Sequence, residues 1–143
     1  LGGLASAAML ASAAARRAII GIAAEVLKVA AAEGHPVARV MGDFSAEEVC
    51  AGALGASDTF GRGLAARAAR VSADAATSLL QDVLRGRRTE VDYFSGLAAR
   101  KGRVHRIATP WCDAATALVH EIEEGRRAPA PSNLDELARR ALV

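Results

Sequence analysis

Apolar residues near the start of the chain recur at helical spacing. Ser12 is a typical N-cap residue, and Gly34 followed by His35-Pro36 is a typical helix stop. Between these signals the apolar positions alternate at intervals of four and three residues, which places them on one face of an α-helix. They are Ala15, Ile19, Ile22, Val26 and Val29. The pattern therefore predicts one long helix in this region.

Start signals predict two further helices. Ser45 and Glu48 form a capping-box pattern, which predicts a helix from there to about Leu54. Thr109-Pro110 combines an N-cap residue with a proline at the first helical position, where the missing N–H is not needed. Apolar positions then repeat at intervals of four, three and four residues: Trp111, Ala115, Leu118 and Ile122.

Other parts of the chain have weaker patterns. Gly61 and Gly63 favour a turn, followed by a short helix over residues 64–71. Another helix is predicted to begin at Thr89, and Ser132 is expected to cap the last helix. No segment has the alternating pattern that would predict a strand.

The composition agrees with a purely helical domain. Alanine, the residue with the highest helix propensity, is abundant, whereas aromatic residues make up only 3% of the chain. The 143 residues are 52% hydrophobic, which suffices for a packed core and excludes intrinsic disorder. We therefore predict an all-α fold, a multi-helix bundle in which residues 1–143 form one domain.

Charge, cysteines and missing motifs exclude several classes of function. The 18 basic and 16 acidic residues give a net charge of +2, too balanced for a nucleic-acid-binding face. Cys50 and Cys112 cannot build a disulfide framework, which indicates a reduced, intracellular chain. His35, His105 and His120 have no second ligand at metal spacing, so no metal site is assigned. The chain also lacks the glycine-rich loops that bind nucleotides and an uninterrupted membrane span.

Residues 77–96 carry the densest group of chemically useful side chains. The predicted helix start places Glu90 in a first helical turn, where free N–H groups and the helix dipole favour anions. Ser78 can donate or accept a hydrogen bond, and Arg87 and Arg88 can hold a carboxylate. A cleft built from these groups would suit a small organic acid. Each residue also has a structural interpretation, because Ser78 can be a helix cap, Glu90 a dipole partner and the arginines a solvated face.

At these residues the chain resembles the C-terminal domain of ketopantoate reductases (2-dehydropantoate 2-reductases). The resemblance rests on several identities in fixed order over about thirty-five residues, which is more specific than any one short motif. They are Ser78-x-Leu80-Gln81-Asp82, Gly86-Arg87-x-Thr89-Glu90-Val91-Asp92, Gly96 and Thr109-Pro110. Weaker similarity reaches back to Leu10-Ala11-Ser12 and the helix that follows.

The resemblance implies a fold like the C-terminal domain of 6-phosphogluconate dehydrogenase and a role in a two-domain, cytoplasmic, homodimeric oxidoreductase. In that family an N-terminal Rossmann domain binds NADPH, and ketopantoate is reduced to pantoate on the route to pantothenate and coenzyme A. A lysine supplies the proton to the developing alkoxide. By this resemblance Glu90 matches the catalytic glutamate beside the substrate hydroxyl and that lysine, and Ser78 matches a substrate-binding serine. No cofactor is expected to bind to this chain by itself, which would be inactive alone.

The chain departs from the family pattern in three places. The catalytic lysine and the asparagines of the same upstream helix have no counterpart, since Lys28 and Lys101 lie outside that motif. A further substrate-binding asparagine is replaced by Ala75 or Ala76. This last change leaves a 2-oxo acid related to ketopantoate open as the substrate, because a lost amide leaves a substrate polar group without its partner.

A second hypothesis treats the chain as a stand-alone helical dimerisation or interaction module without catalysis. Alanine-rich helices pack closely and suit such an interface. An upstream Gly-x-Gly-x-x-Gly unit would favour the enzyme, and a natural start near Leu1 would favour the module. Nucleic-acid binding through the arginines is disfavoured, because acidic residues are interspersed with them and no aromatic stacking platform accompanies them.

Overall fold

The computed structural model describes residues 1–143, and 62% of them are helical. The all-α prediction is confirmed, and the only sheet is a pair of two-residue antiparallel strands. The strands are β1 (Arg39–Val40) and β2 (Phe44–Ser45). The helices are α1 (Ser6–Ala11), α2 (Ala13–Ala32), α3 (Ala46–Ala53), α4 (Thr59–Ala68), α5 (Ser78–Leu84), α6 (Ser95–His105), α7 (Pro110–Glu123) and α8 (Ser132–Ala141). None of these helices combines the length and apolarity needed to cross a bilayer.

Helix α2 is the centre of the fold and packs against α1, α3, α4, α6, α7 and α8. Its predicted bounds are confirmed, because the Ser12 hydroxyl accepts the Ala15 N–H at 3.3 Å and Gly34 follows the last turn with a φ of +83°. Two core clusters flank it. One joins α2 to α7 and α8 through Ala18, Ala115, Leu118 and Leu137. The other joins it to α1, α3 and α4 through Leu10, Leu27, Val49, Phe60 and Leu64.

The predicted turn at Gly61 and Gly63 is wrong, because α4 runs through both residues. The reason is tertiary packing. The ring of Phe44 lies directly against Gly63, and a Cβ there would overlap it. Phe44 also meets the Phe60 ring edge-on with centroids 5.0 Å apart. Glycine is therefore present in α4 because the Phe44 ring occupies the space that a side chain at position 63 would need. Local helix propensity does not reveal such a contact.

Helix α7 begins at Pro110 as predicted, but its capping differs from the prediction. Thr109 occupies the N-cap position without capping through its side chain. Instead, the carboxylate of Glu25, on α2, accepts the N–H groups of Trp111 at 2.9 Å and Cys112 at 2.8 Å. Burial raises the pKa of Glu25, and these backbone hydrogen bonds oppose that effect. A carboxylate from the central helix thus satisfies free donors at the start of α7.

An ion-pair network joins α8 to the end of α7. Glu121 binds Arg127 and Arg140, each at 2.7 Å, and Arg140 also binds Glu136 at 2.7 Å. Hydrogen bonds from Arg140 and Arg127 lower the pKa of Glu121 to about 2. Asn133, rather than the predicted cap residue Ser132, makes the polar contacts at the start of α8. Its amide donates to the carbonyls of Leu1 and Ala128.

Candidate functional site

The first part of the candidate segment is the short helix α5. Thr77 caps it, because its hydroxyl accepts the Leu80 N–H at 3.2 Å. The Gln81 amide donates to the carbonyl of Ala76 at 3.1 Å, just before the start of the helix. Ser78 is therefore the first helical residue and not the cap. Its side chain is exposed and makes no hydrogen bond within the chain.

The second part is a tight turn around Glu90. Residues Val91–Tyr93 form one turn of 3-10 helix, in which Tyr93 donates its N–H to the carbonyl of Glu90 at 2.9 Å. Helix α6 starts only at Ser95, so the predicted helix start at Thr89 is six residues too early. The reason is that the N–H and the hydroxyl of Thr89 both bind the Glu123 carboxylate, at 2.6 and 2.7 Å, instead of beginning a helix.

A polar face of α7 contacts this turn and the residues on both sides of it, from Thr89 to Ser95. The face consists of Thr116, His120 and Glu123, which are spaced by four and three residues and so lie on the same side of the helix. The Thr116 hydroxyl donates to the carbonyl of Cys112 at 2.8 Å and accepts from the hydroxyl of the buried Ser95 at 3.0 Å. His120 Nε2 lies 3.2 Å from Asp92 Oδ1, and Glu123 binds Thr89.

Gly96 lets the turn fold back closely on α6. A Cβ at this position would lie 3.2 Å from Asp92 Oδ1 and 3.3 Å from the carbonyl oxygen of Val91. Arg100 then reaches back from α6 and donates to the carbonyl of Asp92 at 3.0 Å. The turn is therefore held from α7 on one side and from α6 on the other.

The structure leaves the carboxylate of Glu90 free. This side chain is exposed and takes part in no hydrogen bond or ion pair of the chain. Arg87 and Arg88 are likewise exposed and form no ion pair, so they do not enclose a carboxylate site here. Glu90 therefore sits on an ordered backbone with no partner competing for its oxygens. Its catalytic role stays a prediction, as does substrate binding by Ser78.

An apolar cavity of about 380 Å³ lies beside the two segments that carry the candidate residues. Thr77, Leu79, Thr89 and Val91, the immediate sequence neighbours of Ser78 and Glu90, line it, while the two candidate residues themselves lie outside the lining. The remaining wall is mostly aliphatic and comes from the first four residues and from α2, α7 and α8, for example Leu4, Ile19, Ile22, Val119 and Leu137. The structure thus brings the two motif segments to the border of one cavity, about the volume of a small-molecule site.

A second cavity, of about 460 Å³, lies between α2, α3, α4 and α7 and includes Arg16, Arg17 and Asp58. The Arg16 side chain is hydrogen-bonded to the end of α1, where it donates to the carbonyls of Leu10 at 2.9 Å and Ala11 at 2.6 Å. Nη1 of this guanidinium therefore satisfies the last two carbonyls of α1 and stabilises the fold.

The other polar clusters have structural roles as well. Lys101 binds Glu33 at 2.7 Å, and His105 also contacts Glu33, so the ends of α2 and α6 are joined. Hydrogen bonds from Lys101 and His105 lower the pKa of Glu33. Cys112 is completely buried, and burial raises the pKa of its thiol. No three His, Cys, Asp or Glu side chains are grouped in the way a metal ion requires.

The residues that sequence reasoning missed are those that hold the turn. Glu123 is 34 positions from Thr89, and nothing local to the motif indicates the contact. One signal was present. Thr116, His120 and Glu123 form a polar stripe at helical spacing beside the apolar stripe of α7, but such a stripe is usually just a solvated face.

Comparison with known families gives one match that covers most of the chain. A family model described as "Ketopantoate reductase PanE/ApbA C terminal" matches residues 1–123. These residues include α1–α7, the Glu90 turn and most of the border of the apolar cavity, whose α8 residues lie outside the match. A search of curated proteins found no match to this chain.

Two solved structures have a similar fold. The ternary complex of D-mandelate dehydrogenase with NADH and anilino(oxo)acetate is 28% identical over 85% of this chain, with a TM-score of 0.63. A dimeric ketopantoate reductase from Staphylococcus aureus is 18% identical over 87% of this chain, with a TM-score of 0.60. The matched regions are 34% and 37% of those two chains, so this chain spans about a third of each.

Proposed function

Since this chain belongs to the ketopantoate reductase C-terminal domain family, we propose that it forms the substrate-binding and dimerisation domain of an NADPH-dependent reductase of a 2-oxo acid. The family is one of oxidoreductases. The observation that carries the proposal is the Glu90 turn. A free carboxylate stands there on a backbone held from two helices, beside an apolar cavity. Preorganised groups of this kind are what acid–base chemistry on a small substrate requires.

In this proposal Glu90 accepts a hydrogen bond from the substrate hydroxyl, and Ser78 provides a second polar contact to the same substrate. The two residues come from separate segments whose neighbouring residues line one cavity, and a small acid bound at the rim of that cavity is proposed to reach both. The apolar wall of that cavity would exclude water on the inner side. An unpaired carboxylate on an anchored backbone suits such a role, because no internal hydrogen bond has to break before the substrate binds.

The residues of this chain do not fit a dinucleotide site. Its only strands are two residues long, and no glycine-rich loop joins a strand to a helix. We therefore assign no cofactor contact to this chain and attribute NADPH binding to the rest of the full-length enzyme. When bound there, the nicotinamide supplies the hydride. The substrate-side contacts are the part of the chemistry proposed for residues 1–143.

Ketopantoate is the first candidate substrate, and a related 2-oxo acid is the second. The related 2-oxo acid is supported by the absence of the family's asparagine, since the chain has Ala75 and Ala76 in that region. It is also supported by the similarity to D-mandelate dehydrogenase, whose complex contains anilino(oxo)acetate, an oxo acid derivative with an aromatic group. The fragment is proposed to act in a cytoplasmic enzyme and to be inactive alone.

The test is a kinetic comparison in the full-length protein that contains this chain. NADPH oxidation would be followed with ketopantoate and with an aryl-substituted 2-oxo acid, in the parent protein and in Glu90→Gln. Removing the carboxylate is expected to lower kcat/KM about a hundredfold, a typical effect of losing an acid–base group. Asp135→Asn is the matched control, because Asp135 is also exposed and unpaired but lies on α8. It should leave kcat/KM unchanged.

Each outcome has a clear meaning. A hundredfold loss in Glu90→Gln alone would support the catalytic assignment, and the preferred substrate would identify the 2-oxo acid. A fully active Glu90→Gln protein would refute that assignment. If the full-length protein oxidises NADPH with neither acid, the alternative of a helical interaction module without catalysis gains instead.

A further inference from the structure

The backbone of the Glu90 turn is anchored immediately before and shortly after Glu90. Before it, Thr89 donates both its N–H and its hydroxyl to Oε1 of Glu123, at 2.6 and 2.7 Å. After it, Asp92 lies 3.2 Å from His120. The Thr89 hydroxyl also accepts the N–H of Val91 at 3.2 Å, so it bridges over Glu90 itself. Rotation about the backbone of Glu90 is therefore restricted from both sides.

Glu123 has no other partner that explains its position. It is only partly exposed, and it forms no ion pair with any arginine or lysine. The nearby glutamates differ in this respect, because Glu121 binds Arg127 and Arg140 and Glu124 binds Arg126. A partly buried carboxylate without a cation is costly unless hydrogen bonds stabilise its charge. All of the stabilisation seen here comes from Thr89.

We propose that Glu123 is a positioning residue that anchors the backbone carrying the candidate catalytic carboxylate of Glu90. The inference rests on the proposed function, because it needs Glu90 to act on the substrate. Hydrogen bonds to an ionised acceptor are about twice as strong as neutral ones, and two of them converge on a single residue next to Glu90. Glu123 acts through the backbone of Thr89, without contact to substrate. The geometry of Glu90 is thus set from the end of a different helix.

The test uses three variants of the full-length protein. Glu123→Ala removes both anchors, and kcat is expected to fall on the order of tenfold, since small misplacements of a reacting group have effects of this size. Glu123→Gln keeps an oxygen that can accept both Thr89 hydrogen bonds, so it should recover most of kcat. Glu124→Ala is the matched control, one residue further along and paired only with exposed Arg126. It should leave kcat unchanged.

A double-variant cycle separates positioning from general destabilisation. If Glu123 acts only through Glu90, Glu123→Ala lowers kcat in the parent protein but has no further effect in a Glu90→Ala background. Equal losses of kcat in both backgrounds would overturn the inference while leaving the role of Glu90 intact. A fully active Glu90→Ala protein would instead refute the proposed function itself, so the two failures are distinguishable.

A second readout measures the anchor directly. Amide hydrogen exchange in a peptide covering residues 87–94 should become faster in Glu123→Ala and stay at the parent rate in Glu124→Ala. If Glu123→Ala does not fold, Thr89→Val removes only the hydroxyl bonds and Thr89→Ser restores them. A lowered kcat in Thr89→Val with recovery in Thr89→Ser supports the inference. Equal kcat in these two variants would overturn it.

Discussion

Substitution of Gly21 tests how closely α7 packs against the central helix α2. The glycine lies on α2 under the ring of Trp111, and a Cβ there would be 2.6 Å from Cδ2 and Cε2 of that ring. Carbon atoms in contact normally lie about 3.5–4.0 Å apart. Gly21→Ala therefore requires the ring or the helix to move by about 1 Å. The indole cannot swing aside cheaply, because its Cγ would also be only 2.7 Å away.

The size of the effect follows from two opposing terms. Overpacking a core contact of this kind costs about 1–3 kcal/mol, whereas replacing glycine by alanine inside a helix gains about 1 kcal/mol. Gly52→Ala is the matched control, because a Cβ there would meet Ile20 Cγ2 at an ordinary 3.4 Å. Both variants share the helix-propensity gain. The difference between their free energies of unfolding should therefore equal the overpacking term, about 1–3 kcal/mol.

The assay can use Trp111 itself, since it is the only tryptophan of the chain. Urea unfolding followed by its fluorescence would give the free energy of unfolding for the parent chain, Gly21→Ala and Gly52→Ala. The emission of folded Gly21→Ala should also shift, because the ring has to move. Equal stability of the two variants, with unchanged emission, would refute the idea that α7 is seated through this glycine.

Two further predictions concern the ion-pair network and the assembly. Because Arg140 and Arg127 lower the pKa of Glu121 to about 2, its stabilising effect is present above its ordinary value of 4.5 and is lost as the pH falls toward 2. Unfolding curves of Glu121→Gln should thus vary less with pH over this window than those of the parent, and parallel curves would contradict this assignment. The full-length protein is also expected to be a homodimer, since Tyr93 and Phe94 expose apolar surface. Light scattering that gives a monomer mass would rule this out.

Local signals were sufficient to predict much of the fold. The long helix α2 begins and ends at its cap residue and its glycine, and the capping box at Ser45 and Glu48 is present with both of its hydrogen bonds. Pro110 opens α7 as expected. In each case the deciding interactions lie within a few residues along the chain, so the sequence contains both partners at a fixed spacing.

The errors share the opposite property, because a distant residue decides the local structure. Gly63 is helical since Phe44 fills the place of its side chain. Thr89 lies outside a helix, and both of its hydrogen-bond donors bind Glu123, which is 34 positions away. Helix α7 is capped by Glu25, which is more than eighty positions away. Helix propensity and residue spacing cannot reveal contacts between residues that are far apart in the sequence. These tertiary contacts override both local signals.

The candidate site depends on this second kind of information. The motif around Glu90 resembles that of the family, yet the backbone on both sides of Glu90 is anchored by a stripe on α7 that looks like a solvated face in the sequence. Glu121 and Glu123 show the difficulty, because they are two positions apart on the same helix. One stabilises the fold through Arg127 and Arg140, and the other holds the backbone beside Glu90. The two glutamates differ only in the residues that they bind. The role of an acidic residue on a helix face can therefore be assigned once the segment that packs on it is known.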